Sequence, residues 1–271
     1  MNFEKEDFEK KGLKFNKDRV LTYSQLSCPS GCKYCFVENM NYNQKKDVAY
    51  LSDEQLDLIS QLPDEITTIM LGCDTEFFQA EENSLEILSR LSKLNKDISI
   101  VTKLQLSEDF IKKLKGINEK LITHKNFLTL SISLTSMKSA KEWEPGVPDP
   151  SKRIETLKMV HDAGIKTLVA LRPLLPTVPD REIEEIIELT KDCCHGYYSG
   201  PLYLKTLDLL ENMDKSNLNI ERLQPHWMPE ENIFYKVERE GQMEVLKGIL
   251  EKHKKPIFEG AAEGIKFLRN L

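Results

Sequence analysis

The 271-residue sequence predicts an α/β fold, a curved or open parallel sheet of about six strands with helical crossovers. Three observations lead there. Short apolar runs alternate with amphipathic stretches of roughly ten to fifteen residues, the rhythm of βαβ units. Capping and breaker signals fall between these stretches. About six units are too few to close an eight-stranded barrel, yet sheet curvature still leaves a crevice at the carboxyl ends of the strands.

Taken in order, residues 1–18 are charged and mixed and read as a lead-in arm, with Phe8, Leu13 and Phe15 as its anchors. "RVLTYSQ" (Arg19–Gln25) is the first predicted strand, and "NYNQKKDVAY" further on reads as loop. Ser52 with Gln55 makes a capping box ahead of Leu56, Ile59 and Leu62, and Pro63 stops that helix. "EITTIMLG" (Glu65–Gly72) is the second strand and "NSLEILSRLSKL" (Asn83–Leu94) a helix with a leucine stripe. "DISIVTK" (Asp97–Lys103) is the third strand, followed by a short helix over Ser107–Lys115 capped by Ser107. "FLTLSISLT" (Phe127–Thr135) is the fourth strand, and the helix after it starts at Asp149-Pro150 and stops at Gly164. "IKTLVALRPLLP" (Ile165–Pro176) is the fifth, Asp180–Asp192 a helix, and "CHGYYSG" (Cys194–Gly200) a short sixth strand. Residues 212–271 fit the rhythm less well; with one amphipathic helix near Gly241–His253, they read as an appendage closing one end of the crevice. The expected organisation is thus an arm (1–18), a barrel-like core (19–211) and an appendage (212–271).

Composition narrows the function classes. Apolar residues make up 40% of the chain, enough for a full core, and the net charge is -6 with 30% charged residues well mixed. That balance argues against indiscriminate polyanion binding. No run approaches a membrane span and the N-terminal residues carry no apolar signal segment, so a cytoplasmic protein is expected. Six cysteines in such a chain read as metal ligands or reactive thiols before disulfides.

The chain is organised around "LTYSQLSCPSGCKYCFVENM" (Leu21–Met40), where Cys28, Cys32 and Cys35 form a C-x3-C-x2-C triplet followed by Phe36. Three thiolates in one tight loop can converge on a metal without a long closure penalty. Structural zinc wants four protein ligands, usually as two close pairs, and the next cysteine, Cys73, is far along the chain. Three cysteines on a [4Fe–4S] cluster leave one iron open for a ligand that is not protein. A zinc knuckle and plain buried thiols are the competing readings.

The triplet resembles that of the radical S-adenosylmethionine (radical SAM) superfamily. A second segment, in which Glu144-Pro145-Gly146 is followed by Pro150 and Arg153-Ile154, resembles its spore photoproduct lyase-like branch. The resemblance covers about residues 20–190 and implies a partial (β/α)6 barrel with a small C-terminal appendage. It implies a [4Fe–4S] cluster on Cys28, Cys32 and Cys35, with S-adenosyl-L-methionine on the open iron. Reductive cleavage would give methionine and a 5′-deoxyadenosyl radical that removes hydrogen from an unidentified small-molecule, nucleotide or peptide substrate. A one-electron donor such as flavodoxin or ferredoxin and sensitivity to oxygen follow. Lyase-like repair of a DNA pyrimidine dimer is the less favoured alternative, because residues 230–271 carry eight acidic and eight basic residues and the whole chain is acidic. A non-catalytic zinc-binding or interaction protein is the second alternative.

Chemistry collects at strand ends, and the resemblance assigns roles there. Where the family carries a Gly-Gly-Glu-like stretch for the ligand's amino group, this chain has Gly72-Cys73-Asp74-Thr75-Glu76, so Thr75 and Glu76 are its candidates. Lys103, at the end of the third strand, offers an ammonium for the methionine carboxylate, with a solvated surface lysine as the rival reading. Ser131 and Ser133 share one face of their strand, and Ser133 is the better candidate for the ribose or amino-acid end. Arg172 offers a fork of donors to a carboxylate or phosphate, with a surface salt bridge as the rival reading. Cys73 echoes the lyase's hydrogen-atom donor, with a small buried thiol as the rival reading. Cys193-Cys194 is expected to be one core and one surface thiol, and Tyr197, Tyr198 and Tyr203 aromatic packing.

Overall fold

Parallel strands form where the sequence places its apolar runs, and the capping signals bound the helices between them. The computed structural model describes residues 5–24, 26–39, 50–211, 214–225 and 232–271. The expectations for Gln25 and for most of "NYNQKKDVAY" lie outside the described residues.

The chain opens with α1 (Lys5–Lys10) and β1 (Leu13–Asn16), followed by β2 (Arg19–Thr22), α2 (Asp53–Ser60) and β3 (Thr68–Leu71). Next come α3 (Glu81–Leu91), β4 (Asp97–Thr102), α4 (Glu108–Thr123) and β5 (Leu128–Ser133). A single turn, α5 (Ala140–Trp143), precedes α6 (Pro150–Asp162), β6 (Lys166–Leu171), α7 (Asp180–Thr190) and β7 (Tyr197–Ser199). The last elements are β8 (Leu202–Leu204), β9 (Leu218–Leu223), β10 (Phe234–Arg239), α8 (Gln242–Lys252), β11 (Ile257–Phe258) and α9 (Ala261–Arg269).

The main sheet has eight strands in the order β1-β2-β3-β4-β5-β6-β7-β11, so it is open, with β1 and β11 at its ends. β1 runs antiparallel to β2; β2 to β5 pair parallel in succession, as do β6, β7 and β11. Strands β2 to β7 are the six expected from the sequence, and the fold is the partial barrel of (β/α)6 type. A separate antiparallel sheet, β8-β10-β9, lay outside that expectation. No helix of the described residues is long and apolar enough to cross a membrane.

The chain divides into two compact units. The first comprises Met1–Pro29, Asn43–Ile132 and Glu155–Thr167. Its strands have unlike faces. Val20, Ile69, Ile98, Ile100, Leu128 and Leu130 are sealed on one face, as apolar crossover helices require. On the other face Leu21, Met70 and Val101 keep some exposure and hydroxyls appear at Ser99, Thr129 and Ser131. In register, Ser99 stands beside Thr129 and Val101 beside Ser131. The hydroxyls of Thr129 and Ser131 are buried without a hydrogen-bond partner among the described residues.

Local chemistry sets the helix ends. Ser52 and Gln55 form the expected capping box, and Ser107 Oγ accepts from Phe110 N at the start of α4. That helix runs to Thr123, about twice the length the sequence suggested, because Ile117 and Leu121 continue the buried stripe past Gly116. Burial of that stripe outweighs a glycine penalty of about 1 kcal/mol.

The second unit comprises Ser30–Tyr42, Ser133–Ile154 and Leu168–Leu271. It holds α7, α8 and α9, the small sheet, and β11 beside β7, with Ile257 opposite Tyr197. Gly264 of α9 lies against Leu168 of β6, where an added Cβ would meet a side-chain carbon at 2.6 Å.

Gly72, just past β3, has φ +80° and its missing Cβ would sit 2.8 Å from the Val101 carbonyl oxygen. Gly72→Ala should therefore lower unfolding free energy by about 1–3 kcal/mol in urea denaturation. An unchanged midpoint would mean that the turn can relax without cost.

Candidate functional site

Two clusters of side chains stand where the sequence placed its chemistry, the first at the loop after β3 and the second at the cysteine loop. In the first, the loop after β3 is tied to the ends of β2 and β4. Tyr50 contributes a hydroxyl that accepts from Gly72 N at 2.6 Å and lies 3.1 Å from Thr22 Oγ1. Asp74 Oδ1 accepts from Ser24 N at 3.0 Å and Ser24 Oγ at 3.1 Å. Glu76 is buried and reaches across to β4. Its carboxylate accepts from Thr102 Oγ1 at 2.8 Å, Lys103 N at 3.0 Å and Phe78 N at 3.2 Å. Burial raises the Glu76 pKa above the usual carboxylate range, against the lowering effect of these donors.

Thr75 differs from its neighbour. Its hydroxyl is buried with no partner among the described residues, so it is the polar group of this loop with hydrogen-bonding capacity in hand. Lys103 has a partly exposed side chain, while its backbone N–H is committed to Glu76. Cys73 is partly exposed as a residue, and its thiol donates to the Met70 carbonyl at 3.4 Å. Burial pushes that thiol up to about 12, with the nearby Asp74 charge adding to the shift. It is therefore held as S–H.

The second cluster grips the cysteine loop. Cys28, Cys32 and Cys35 are all free thiols and all partly exposed. The loop turns through Gly31, at φ +55°, and closes with Cys35 N donating to Cys32 O at 3.0 Å. From the segment after β5, Trp143 O accepts from Lys33 N at 2.9 Å, and Gly146 N donates to Ser30 O at 3.2 Å. Next to Lys33 comes Tyr34, whose hydroxyl donates to Glu144 Oε1. Burial first, and then the Glu144 charge, hold the Tyr34 phenol well above its ordinary pKa.

Glu144 in turn faces Arg153. Their Nη2···Oε2 approach is 2.8 Å, an ion pair without hydrogen-bond alignment, and the two residues are 2% and 0% exposed. Arg153 Nη1 donates to the Ser133 carbonyl at 2.7 Å. The Ser133 hydroxyl itself is buried without a partner among the described residues. Glu144, Gly146 and Arg153, read in the sequence only as a motif, are thus the cradle of the loop. Tyr34 and Tyr50 were not singled out; a tyrosine between two cysteines was the one visible signal.

Arg172 is exposed past β6, packed over Gly200, where an added Cβ would lie 3.1 Å from its Nε. Cys193 and Cys194 are both buried, which corrects the expectation of one surface thiol. Cys193 ends a single 3-10 turn, Lys191–Cys193, so the alternation of an extended chain does not apply. Among the described residues no three or more His, Cys, Asp or Glu side chains are gathered so as to hold a metal ion. The donor set nonetheless fits a thiolate-bound cluster in kind, being three unbridged, solvent-reachable soft ligands on one short loop.

A family model described as "Radical SAM superfamily" matches residues 23–190. The uncharacterized protein MJ0683 of Methanocaldococcus jannaschii is 28% identical over 189 residues, which cover 66% of this chain and 69% of that protein. Among solved structures, spore photoproduct lyase complexed with dinucleoside spore photoproduct aligns with a TM-score of 0.61 at 12% identity, over 86% of this chain and 73% of that one. Streptococcus suis SuiB bound to precursor peptide SuiA aligns at 0.53 and 15% identity, over 72% of this chain and 41% of that one. At such identities these two structures speak for the fold.

The raised Cys73 pKa gives a direct check. At about pH 9 the native chain should label Cys73 with iodoacetamide at least roughly tenfold more slowly than the urea-unfolded chain, whose thiols ionise near about 8.5. The same difference takes stability from the fold as pH rises above that value, because only the unfolded chain releases the proton. Equal labelling rates, read by peptide mass spectrometry, would mean an open and ionisable thiol.

Proposed function

We propose, from the premise that this chain belongs to the radical SAM superfamily, that it is a radical S-adenosylmethionine enzyme with Cys28, Cys32 and Cys35 as the ligands of a [4Fe–4S] cluster. The observation that carries this reading is the thiol loop itself: three free, partly exposed cysteines on a loop pinned by a buried polar chain. Cys28, Cys32 and Cys35 would hold the cluster, and the chemistry it would supply is one-electron reduction of S-adenosylmethionine to methionine and a 5′-deoxyadenosyl radical. The electron comes from a small carrier such as flavodoxin or ferredoxin. The substrate is a small molecule, nucleotide or peptide that yields a hydrogen atom.

The chain's own residues bind and orient. Thr75, with its uncommitted hydroxyl, receives the ligand's amino group, and Glu76 fixes the loop that presents it while adding negative charge nearby. Lys103 meets the methionine carboxylate with its ammonium. The Ser133 hydroxyl hydrogen-bonds the ribose or amino-acid end, and Arg172 meets a carboxylate or phosphate. Cys73, kept as S–H by burial, is suited to return a hydrogen atom to a product radical. The Cys73-Asp74-Thr75-Glu76 order, which echoes the lyase's donor setting, favours one second reading, lyase-like repair of a pyrimidine dimer, which would need a nucleic-acid partner.

Anaerobic reconstitution with iron and sulfide should load about four irons per chain. With dithionite and S-adenosylmethionine it should then yield 5′-deoxyadenosine. Cys28→Ala and Cys32→Ala should abolish both; parent-level 5′-deoxyadenosine from either variant would remove the cluster assignment, and tight zinc without iron uptake would favour a zinc knuckle.

Calorimetry under argon tests the assignment of the amino group to Thr75. Thr75→Ala should weaken S-adenosylmethionine binding by about 1.5–3 kcal/mol, roughly tenfold to over a hundredfold, with Thr75→Ser restoring most of it. Unchanged affinity in Thr75→Ala would move the amino-group site to another residue.

A further inference from the structure

We propose that Tyr34, Glu144 and Arg153 are positioning residues for the thiol loop: the buried chain they form locks the Cys32–Cys35 arm to the end of β5 and governs how the loop holds iron. The inference rests on the functional reading above and extends it to three residues that act through the loop.

Burial makes the chain informative. Arg153 has no exposure and Glu144 almost none, and a buried ion pair contributes little net stability compared with well-packed apolar residues. What such a pair does supply is direction. One Glu144 oxygen takes the Tyr34 hydroxyl while the other faces the guanidinium. The guanidinium in turn donates to the carbonyl of Ser133, the last residue of β5. Three side chains thereby connect a strand end to the residue between two cysteines.

Two backbone bonds bracket that connection. Lys33 N to Trp143 O and Gly146 N to Ser30 O use residues on either side of Glu144 to hold residues on either side of Gly31. The Tyr34 ring packs near Trp143, with centroids 6.4 Å apart, so the phenol is fixed at both ends. A segment serving only as core would need neither the charge pair nor the aligned acceptors.

Tyr34→Phe keeps the ring and deletes the donor, and it is the primary test. In the iron-free chain, Cys32 and Cys35 should label with iodoacetamide about tenfold faster than in the parent, measured well below the melting transition of either chain so that global unfolding does not contribute. In the reconstituted holoprotein, iron should pass to a chelator about tenfold faster, and the cluster's midpoint potential in an EPR-monitored titration should shift. The paired variant Glu144→Leu with Arg153→Met replaces the ion pair by apolar volume. It should melt no lower than the parent yet reproduce both the labelling and the iron-release changes.

Parent-like labelling, iron release and potential in Tyr34→Phe would overturn the positioning role. A parent chain that takes up no iron would overturn the functional reading instead, while faster labelling in Tyr34→Phe would still support the locked loop.

Discussion

A guanidinium sealed from water must be answered by protein acceptors, and the answer given to Arg153 arranges much of the second unit. Its two partners, the Glu144 carboxylate and the Ser133 carbonyl, lie on either side of the turn after β5. Satisfying the charge therefore fixes where that turn runs. Once it runs there, the backbone of Trp143 and Gly146 is in place for the cysteine loop, and the second carboxylate oxygen is aimed at Tyr34. Electrostatic necessity in the core becomes geometry at the thiols.

The first unit uses a carboxylate in the same way. Glu76 bridges the loop after β3 to the end of β4, collecting two backbone N–H groups and one hydroxyl. Such a group costs desolvation, visible in its raised pKa, and the return is a rim whose residues cannot drift apart. Thr75, beside it, keeps an uncommitted hydroxyl. The contrast divides labour: one acidic group holds the scaffold, while the neighbouring hydroxyl is available to a ligand.

The sequence made some of this legible because the deciding signals were local. The cysteine triplet, the Ser52 capping box and the six apolar runs each announce themselves within a few residues. Helix α4 continues past Lys115 through Gly116, and the burial that carries it on comes from Ile117 and Leu121 against the rest of the unit. The small sheet was missed because β8 has three residues and β9 alternates exposed positions with half-buried ones. At the site, Glu144 and Arg153 were visible as letters of a motif, but their joint meeting with Tyr34 spans 110 positions and leaves no local trace. The commitment of Glu76 to Thr102 was hidden for the same reason, at a separation of 26.

Strand β11 gives the order of synthesis a physical meaning. Residues 257–258 complete the main sheet by pairing with β7, whose own residues leave the ribosome about sixty positions earlier. Through that interval β7 presents an unpaired edge, with the apolar Tyr197 and Tyr198 beside it, the kind of surface that recruits neighbouring chains. The nascent protein is thus exposed to misassociation after β7 has been made and before β11 arrives. Slow translation of the intervening small sheet would lengthen that window, and holding chaperones would act there with most effect.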